Sequence, residues 1–137
     1  MIITPYAHYN ESEILPLYKS VGWSNYYEHP EMLENAYGSS LCILGAYEHD
    51  KLVGIIRAVG DGHSILFIQD ILVCPQYQRR GIGTALMKAL LEQYRHVYQI
   101  ELATDNTQKT IAFYKSLGFQ PLQEIGCCGF LKHGNLK

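Results

Sequence analysis

The sequence predicts an α/β protein in which a mixed β-sheet is flanked by helices. Strand-like and helical runs alternate along the chain, in the order ααβββαβαββ after a first strand at Ile2–Tyr6. The longest strand-like run, Ile65–Val73, leads through a glycine-rich turn into a run with helical periodicity, Gly81–Tyr94. This order predicts helices on both faces of the sheet.

The first half of the chain contains two predicted helices and three predicted strands after the first strand. Asn10 is the predicted N-cap of a helix over residues 10–20. A second helix is predicted over Pro30–Tyr37, because proline is favoured in a first turn. Leu41–Tyr47 and Leu52–Val59 are strand-like runs on either side of a turn, and Ile65–Val73 is the predicted central strand.

The second half begins with the main helix, Gly81–Tyr94, whose spacing predicts one apolar face. That face comprises Ile82, Ala85, Leu86, Ala89, Leu90 and Gln93. A strand is predicted over Val97–Ala103, followed by a helix from about 108 to 117 for which Asp105, Asn106 and Thr107 compete as N-caps. Phe119–Leu122 and Gly126–Leu131 are predicted to be two closing strands.

Bulk properties predict a small cytoplasmic enzyme made of one domain, residues 1–137. A formal charge of −2 gives no general reason to expect a nucleic-acid partner or an anionic membrane. No apolar run approaches the roughly 20 residues that a membrane helix needs, and the first residues lack the pattern of a signal peptide. The four cysteines have no zinc-site spacing, which predicts reduced thiols and no metal site.

The glycine-rich turn Gln78–Gly83 carries most of the functional information. A turn from a strand into a helix directs unpaired backbone N–H groups at one spot, and the helix dipole adds positive potential there, so the spot favours an anion such as a phosphate. Gly81 and Gly83 permit a ligand to approach the main chain, and Arg79 and Arg80 add two positive charges. The spacing matches neither a Walker loop nor a dinucleotide fingerprint.

The remaining pattern, Gln-x-x-Gly-x-Gly after a strand, resembles the acetyl-coenzyme A loop of the Gcn5-related N-acetyltransferase (GNAT) family. The resemblance extends over Asp70–Pro75, Gln78–Gly83 and Thr84–Met87, and a second segment, Thr110–Phe119, is similar to the family's closing motif. It implies the acyl-CoA N-acyltransferase (GNAT) fold, with acetyl-CoA as co-substrate. It also implies an acetyltransferase in which an amine attacks acetyl-CoA directly within a ternary complex.

The resemblance also implies which residues contact the co-substrate and which act in catalysis. The implied co-substrate residues are Leu72, Val73, Gln78, Arg79, Arg80, Gly81, Ile82, Gly83, Thr84, Asn106 and Phe113. The residue that matches the family's tyrosine beside the thioester sulfur is Tyr114. A phenol can donate a proton to the departing thiolate, so Tyr114 is the predicted general acid, with packing or cofactor positioning as the alternative.

The general base is less well defined, because the positions where many members carry a glutamate are Phe67 and Gln69 here. Asp70 is a candidate catalytic carboxylate, although strand alternation predicts that it faces away from Gln69. A structural role for Asp70, in which it bonds to nearby backbone, is an alternative that is at least as well supported as catalysis. Asp61 is a further candidate that is typical of a hairpin turn. A water relay is therefore favoured over a direct carboxylate base.

The acceptor is predicted to be a small-molecule amine with an apolar body. In the resembling family the acceptor cleft is built from the first two helices and their loop, here about residues 18–40, which are rich in aromatic residues and glutamate. A protein N-terminal or lysine acetyltransferase and a non-catalytic acyl-CoA sensor are the alternatives. Family members are commonly dimers, so a homodimer is possible.

Overall fold

The structure is a computed structural model that describes residues 1–136. Its helices and strands are β1 Ile2–Pro5, α1 Glu11–Ser20, α2 Ser24–Tyr27, α3 Pro30–Gly38, β2 Cys42–Glu48, β3 Lys51–Gly60, β4 Ile65–Val73, α4 Ile82–Gln93, β5 Gln99–Leu102 and α5 Gln108–Ser116. Short 3₁₀ turns lie at Pro75–Tyr77 and Leu122–Ile125. Asn10 caps α1 as predicted, its side chain accepting a hydrogen bond from the Ser12 N–H.

The five strands form one mixed sheet in the order β1-β2-β3-β4-β5. Strands β1 to β4 pair antiparallel with one another, and β5 pairs parallel with β4. The parallel pair β4 and β5 is connected through helix α4, and the antiparallel pair β2 and β3 is connected by a tight turn. This mixture of connections confirms the predicted α/β class with a mixed sheet.

Helices cover both faces of this sheet, as predicted. A Cβ on Gly54 of β3 would meet the side chains of Ile82 and Leu86, which belong to α4. The opposite face packs against α1 and α3 in an aromatic-rich cluster. That cluster comprises Tyr6, Ile14, Leu17, Tyr18, Leu33, Tyr37, Leu52, Ile55, Leu72 and Cys74.

The buried side of α4 differs slightly from the predicted apolar face. Ile82, Leu86 and Leu90 are buried as expected, and Met87 is buried with them. Gln93, predicted on this face, is exposed because it is the last residue of the helix, where the chain leaves the sheet surface.

The two predicted closing strands are wrong. Residues 119–121 are irregular, Leu122–Ile125 is a 3₁₀ turn, and residues 126–136 form no helix or strand. Gly126 is left-handed at φ 80°, which turns the backbone where the second strand was expected to begin. A strand exists only where another strand bonds to it, and an apolar sequence pattern does not supply that partner.

The described chain separates into two compact units. The first unit is Met1–Ala103, which contains the whole sheet, and the second begins at Thr104 and contains α5. A single domain across residues 1–137 stays a prediction.

Candidate active site

The predicted anion site lies at the start of α4. Gly81 is the N-cap residue and adopts a left-handed conformation at φ 81°, with no side-chain cap. Its carbonyl accepts the Ala85 N–H at 2.9 Å, so α4 begins there and the N–H groups of Ile82, Gly83 and Thr84 lie in the first turn. First-turn N–H groups have no partner within a helix and carry the positive end of the dipole, as an anion site requires.

The two glycines of the loop differ in whether their backbone conformation requires glycine. Gly81 needs glycine for its positive φ, because a side chain in this conformation is strained. Gly83 has no such need: an added Cβ would touch only Val73 Cγ2, at 3.9 Å, which is an ordinary contact. Packing within the chain therefore leaves open space above Gly83.

Gln78 holds the loop against the end of β4. Its side-chain Nε2 donates to the Val73 carbonyl at 2.9 Å. Its partner is thus the backbone at the last residue of the strand. Gln78 therefore fixes the position of the loop relative to the strand.

Positive charge surrounds the loop on one side. Arg80 stacks over the ring of Tyr77 at 5.1 Å from the ring centroid, and Lys51 lies over the same ring at 5.5 Å. Such contacts each contribute about 0.5–1 kcal/mol at exposed sites and orient the side chain. Arg79 is exposed and has a positive φ of 64°, which is uncommon for a residue with a side chain.

The strand that precedes the loop is open along part of its length. β5 pairs with β4 from Ile65 to Ile68, and that pairing ends there. On its other side β4 stays paired with β3 as far as Val73. The stretch from Gln69 to Val73, which includes the predicted co-substrate residues Leu72 and Val73, therefore has backbone groups on the β5 side that none of the five described strands pairs with.

A β-bulge lies at Gln69, where the pairing with β5 ends. Arg57 of β3 is opposite Asp70, and the next residue, Ala58, is opposite Ile68, so Gln69 is the extra residue. Side chains normally alternate between faces, but a bulge breaks that alternation. The prediction that Asp70 faces away from Gln69 is therefore wrong: Gln69 bonds to the Tyr26 hydroxyl, and Tyr26 packs on Tyr18, the partner of Asp70.

Asp70 lies in a buried network of side chains. Its Oδ2 accepts from Arg57 Nε at 2.7 Å and from the Tyr18 hydroxyl at 2.8 Å. Because Tyr18 gives its proton to Asp70, the 2.9 Å contact between the Tyr18 and Tyr37 hydroxyls must have Tyr37 as donor. Arg57 also donates from Nη1 to Ser40 Oγ at 3.2 Å. The expected bonds from Asp70 to nearby backbone are replaced by these side-chain bonds.

Burial shifts the protonation equilibria of this network. Burial, then the nearby Tyr37 and Asp70, raises the pKa of Tyr18 well above its usual 10. Burial likewise raises the pKa of Tyr37. Burial by itself would lower the pKa of Arg57, but the charge and hydrogen bond of Asp70 outweigh it and raise that pKa. At neutral pH both tyrosines are protonated and Arg57 is charged.

One atom of the network has no partner. Asp70 is 1 % exposed, and its Oδ1 makes no hydrogen bond to any of residues 1–136. Beside it, the Tyr26 hydroxyl accepts from Gln69 Nε2 at 3.0 Å, and burial followed by the charge of Asp70 raises the pKa of Tyr26. Asp70 as a catalytic carboxylate stays a prediction, and its Oδ2 is already engaged by two donors.

The second unit contains the predicted general acid. Tyr114 lies on α5, half-buried, with its ring edge-on to Phe113 at 5.0 Å and to Phe119 at 5.9 Å. Burial raises the pKa of Tyr114 above 10, although a hydrogen bond with Thr104 opposes the shift. The phenol therefore keeps its proton at neutral pH, as a general acid must.

Among the three competing caps of α5, Thr107 is the N-cap. Its hydroxyl accepts the Thr110 N–H at 3.2 Å. Asn106 lies just outside the helix and is exposed.

Asp61, the other candidate base, forms a turn as expected. Its carboxylate accepts hydrogen bonds from the N–H groups of His63, Ser64 and Ile65. These bonds lower the pKa of Asp61, and the bond from Ser64 Oγ is the largest cause.

The sequence pointed to Asp70 but missed that Arg57, Tyr18 and Tyr37 join it. The sequence contains a signal for such a network, because Arg57 is the one charged residue inside an otherwise apolar strand over 52–59 and a buried charge requires a partner.

Within residues 1–136, no three His, Cys, Asp or Glu side chains form a group that could hold a metal ion. No helix in that range has the length and apolar character to cross a membrane.

A mixed sheet in which two parallel strands separate beside a helix N-terminus is the architecture of the acyl-CoA N-acyltransferase fold. The family model described as Acetyltransferase (GNAT) family matches residues 8–119. The chain belongs to this acetyltransferase family.

Solved structures agree with this assignment. A GNAT-family acetyltransferase from Streptococcus pneumoniae is 42% identical, with a TM-score of 0.88 and 98% of each chain covered. An aminoglycoside 6'-N-acetyltransferase complexed with coenzyme A shares the fold, with a TM-score of 0.69 at 20% identity over 86% of this chain and 84% of that one.

Curated relatives match over a smaller share of their length. An uncharacterized ycf52-like N-acetyltransferase from Prochlorococcus marinus is 30% identical over 124 residues, which are 86% of this chain and 67% of that protein. The chain spans 28% to 32% of the next three relatives, which are plant proteins.

Proposed function

We propose that this protein is an N-acetyltransferase that moves the acetyl group of acetyl-CoA to the amine of a small molecule. The observation that carries the proposal is the open stretch of β4 leading into the α4 N-terminus, with Gln78 holding the two together. An extended ligand with amide groups and a diphosphate suits this arrangement, because strand groups pair with amides and first-turn N–H groups bind phosphate.

The residues present fit that ligand. The first turn of α4 offers the N–H groups of Ile82, Gly83 and Thr84, and the space above Gly83 is not filled by the chain. Arg79 and Arg80 add charge of the required sign, and Leu72 and Val73 offer main-chain groups on the open side of β4. Asn106 and Phe113 stay proposed co-substrate residues on the grounds of the family resemblance.

The reaction is a direct transfer within a ternary complex. Acetyl-CoA supplies the acetyl group as a thioester; the amine nitrogen bonds to the carbonyl carbon, the C–S bond breaks, and the products are the N-acetylated amine and coenzyme A. Tyr114 donates its phenolic proton to the departing sulfur. The proton that the amine loses passes to water, since Asp70 Oδ2 already accepts two hydrogen bonds, and water returns a proton to Tyr114 so that the cycle balances.

The experiment is a thiol-release assay with acetyl-CoA over a panel of small amines. We expect turnover with at least one amine, and we expect Tyr114→Phe to lower kcat by about 100-fold while leaving acetyl-CoA affinity unchanged. Tyr98→Phe is the matched control, because Tyr98 is 81% exposed. Equal turnover in Tyr114→Phe and wild type would exclude Tyr114 as the general acid.

A non-catalytic acyl-CoA sensor is the second candidate. It is favoured by one observation, that Gln69 and Phe67 replace the usual base and Asp70 is tied to Arg57. Calorimetry separates the two functions: tight acetyl-CoA binding without thiol release from any amine, peptide or protein acceptor would support the sensor. Release with peptides alone would support a protein acetyltransferase.

A further inference from the structure

A cavity of about 200 Å³ lies where the end of α3 meets the first two strands of the sheet. Its walls include Tyr6, which follows β1, Ile43 of β2, and Glu34 and Tyr37 of α3. We call it the tyrosine cavity, because three tyrosines line it: Tyr6, Tyr9 and Tyr37. Cavities for drug-sized ligands measure about 300–1,000 Å³, so this one suits a smaller molecule.

The aromatic walls of the tyrosine cavity meet nearly at right angles. The ring of Tyr37 makes an angle of 81° with that of Tyr6 and of 69° with that of Tyr9, and its centroid is 6.1 Å and 5.3 Å from theirs. Tyr6 and Tyr37 are only 8% and 6% exposed, so packing fixes these walls before any ligand enters. Aromatic rings attract a cation by the negative potential of their faces, and several rings around one space form a site for an ammonium group.

The charge at the tyrosine cavity is negative. Glu34 is the charged residue in its wall, and no lysine or arginine among the described residues lines it. None of the ion pairs within residues 1–136 involves Glu34, so its carboxylate is free to pair with a ligand. Glu11 adds to the same field: after burial, the charges of Glu11 and Glu34 raise the pKa of Tyr9.

The Tyr9 hydroxyl has no hydrogen-bond partner in the described chain. It is shielded from solvent and makes no hydrogen bond to any of residues 1–136. Packing alone would be served as well by a phenylalanine, and an unpartnered buried hydroxyl is unfavourable. A cation beside this ring gives the hydroxyl a role, because the phenolic oxygen adds negative partial charge to the wall.

From the perpendicular rings, the free carboxylate and the unpartnered hydroxyl, we infer that the tyrosine cavity binds a small organic cation of the alkylammonium class. The rings attract the cation through their faces, and Glu34 supplies the counter-charge. An anion would be repelled by Glu34. A neutral apolar molecule would gain from the rings but leave the charge of Glu34 unused.

The tyrosine cavity is separate from the proposed site of acetyl transfer. It contacts β2, which β3 separates from the open stretch of β4 proposed for acetyl-CoA. The two places are joined through hydrogen bonds, because Tyr37 donates to Tyr18 and Tyr18 donates to Asp70. The inference is independent of whether the protein transfers an acetyl group.

The first experiment titrates the full chain with choline chloride by isothermal titration calorimetry. A parallel titration uses 3,3-dimethylbutan-1-ol, which has the shape of choline without its charge, and sodium chloride controls for ionic strength. We expect choline to bind at least about tenfold more tightly than the alcohol, because the rings and Glu34 both act on the charge. Comparable affinities, or no binding of choline, would overturn the inference.

The second experiment locates the site with variants. Tyr9→Leu is expected to weaken choline binding at least about fivefold, and Glu34→Gln at least about threefold. The matched controls are Glu31→Gln, an exposed position on the same helix, and Tyr98→Leu, at a tyrosine that is 81% exposed. Both controls should bind choline like the wild type.

Circular dichroism shows whether each variant is folded. If Tyr9→Leu does not fold, Glu34→Gln carries the test, because Glu34 is exposed. Unchanged affinity in Glu34→Gln, or an equal loss in Glu31→Gln, would mean that choline binds elsewhere and would overturn the inference. Competition between choline and an acceptor amine in the thiol-release assay would overturn the separation of the two sites.

Discussion

The two glycines at the start of α4 differ in the reason for having no side chain: Gly81 is required by its backbone conformation, and Gly83 is expected to leave room for a ligand. Gly81 has a left-handed backbone, so any substitution there strains the loop and tests nothing about a ligand. Gly83 has ordinary helical backbone and room for a methyl group. The effect of a substitution at Gly83 on ligand affinity therefore shows whether a ligand occupies the space beside this residue.

We expect Gly83→Ala to weaken acetyl-CoA binding by at least about tenfold without lowering the melting temperature. The methyl group occupies the space into which we place the diphosphate, and overpacking costs about 1–3 kcal/mol. Isothermal titration calorimetry gives the affinity. Gly38→Ala is the matched control, because a Cβ at Gly38 meets no atom within 4 Å. Unaltered affinity in Gly83→Ala would mean that the ligand binds elsewhere.

The β4 strand combines three features of the candidate site. The bulge at Gln69, the end of pairing with β5 after Ile68 and the ion pair of Asp70 with Arg57 occur within a few residues of one another. The bulge shifts the side-chain phase, so that Asp70 joins the tyrosine cluster while Ile68 stays opposite Ala58. The ion pair thus anchors the strand at the point where its other edge opens.

We expect Asp70→Asn to lower the free energy of unfolding by about 3–5 kcal/mol, because it leaves the buried guanidinium of Arg57 without a counter-charge. Urea denaturation measures the change. Glu92→Gln is the control: Glu92 and Arg95 form a pair that is 74% and 76% exposed, and its loss should cost at most about 1 kcal/mol. If Asp70→Asn keeps full stability but loses turnover, Asp70 acts in catalysis and not as an anchor.

The buried tyrosines make stability depend on alkaline pH. The pKa values of Tyr18 and Tyr37 are raised in the folded state, so their stabilising contribution is fully present below about pH 10 and is lost as the pH rises further. Each tyrosine lowers the free energy of unfolding by up to about 1.4 kcal/mol for every pH unit in this range. Denaturation between about pH 9 and pH 11 should show this slope. In Tyr18→Phe the slope should be shallower, and an equal slope would contradict the assignment.

The molecule as a whole divides its apolar burial unevenly. The first unit buries a core on both faces of the sheet, whereas none of the described residues 98–136 is buried. Ligand binding stabilises a folded state without any change in the chain.

We expect acetyl-CoA to raise the melting temperature, by roughly 8 °C at a hundredfold excess over its dissociation constant, since such an excess contributes about 2.7 kcal/mol. Differential scanning fluorimetry measures the shift. S-acetylpantetheine, which lacks the phosphates that the α4 N-terminus would bind, should give a much smaller shift at the same concentration. Equal shifts would mean that the loop at Gln78–Gly83 does not bind phosphate.

Local patterns were sufficient for most of the fold and for the loop. Helical periodicity, the Asn10 cap and the hairpin turn depend on residues close together in the chain, and the run from Gln78 to Gly83 carries its own conformational and electrostatic requirements. These features are present in the sequence because short-range sterics and hydrogen bonds produce them.

Contacts between distant residues could not be obtained in this way. The bulge at Gln69 depends on the register of β3, and the bonds of Asp70 to Tyr18 and Arg57 join side chains far apart in the chain. Residues 126–131 have the composition of a strand, but whether they form one depends on an edge to bond with. Strand pairing and buried ion pairs require a second partner, and only the assembled structure brings the partners together or leaves them apart.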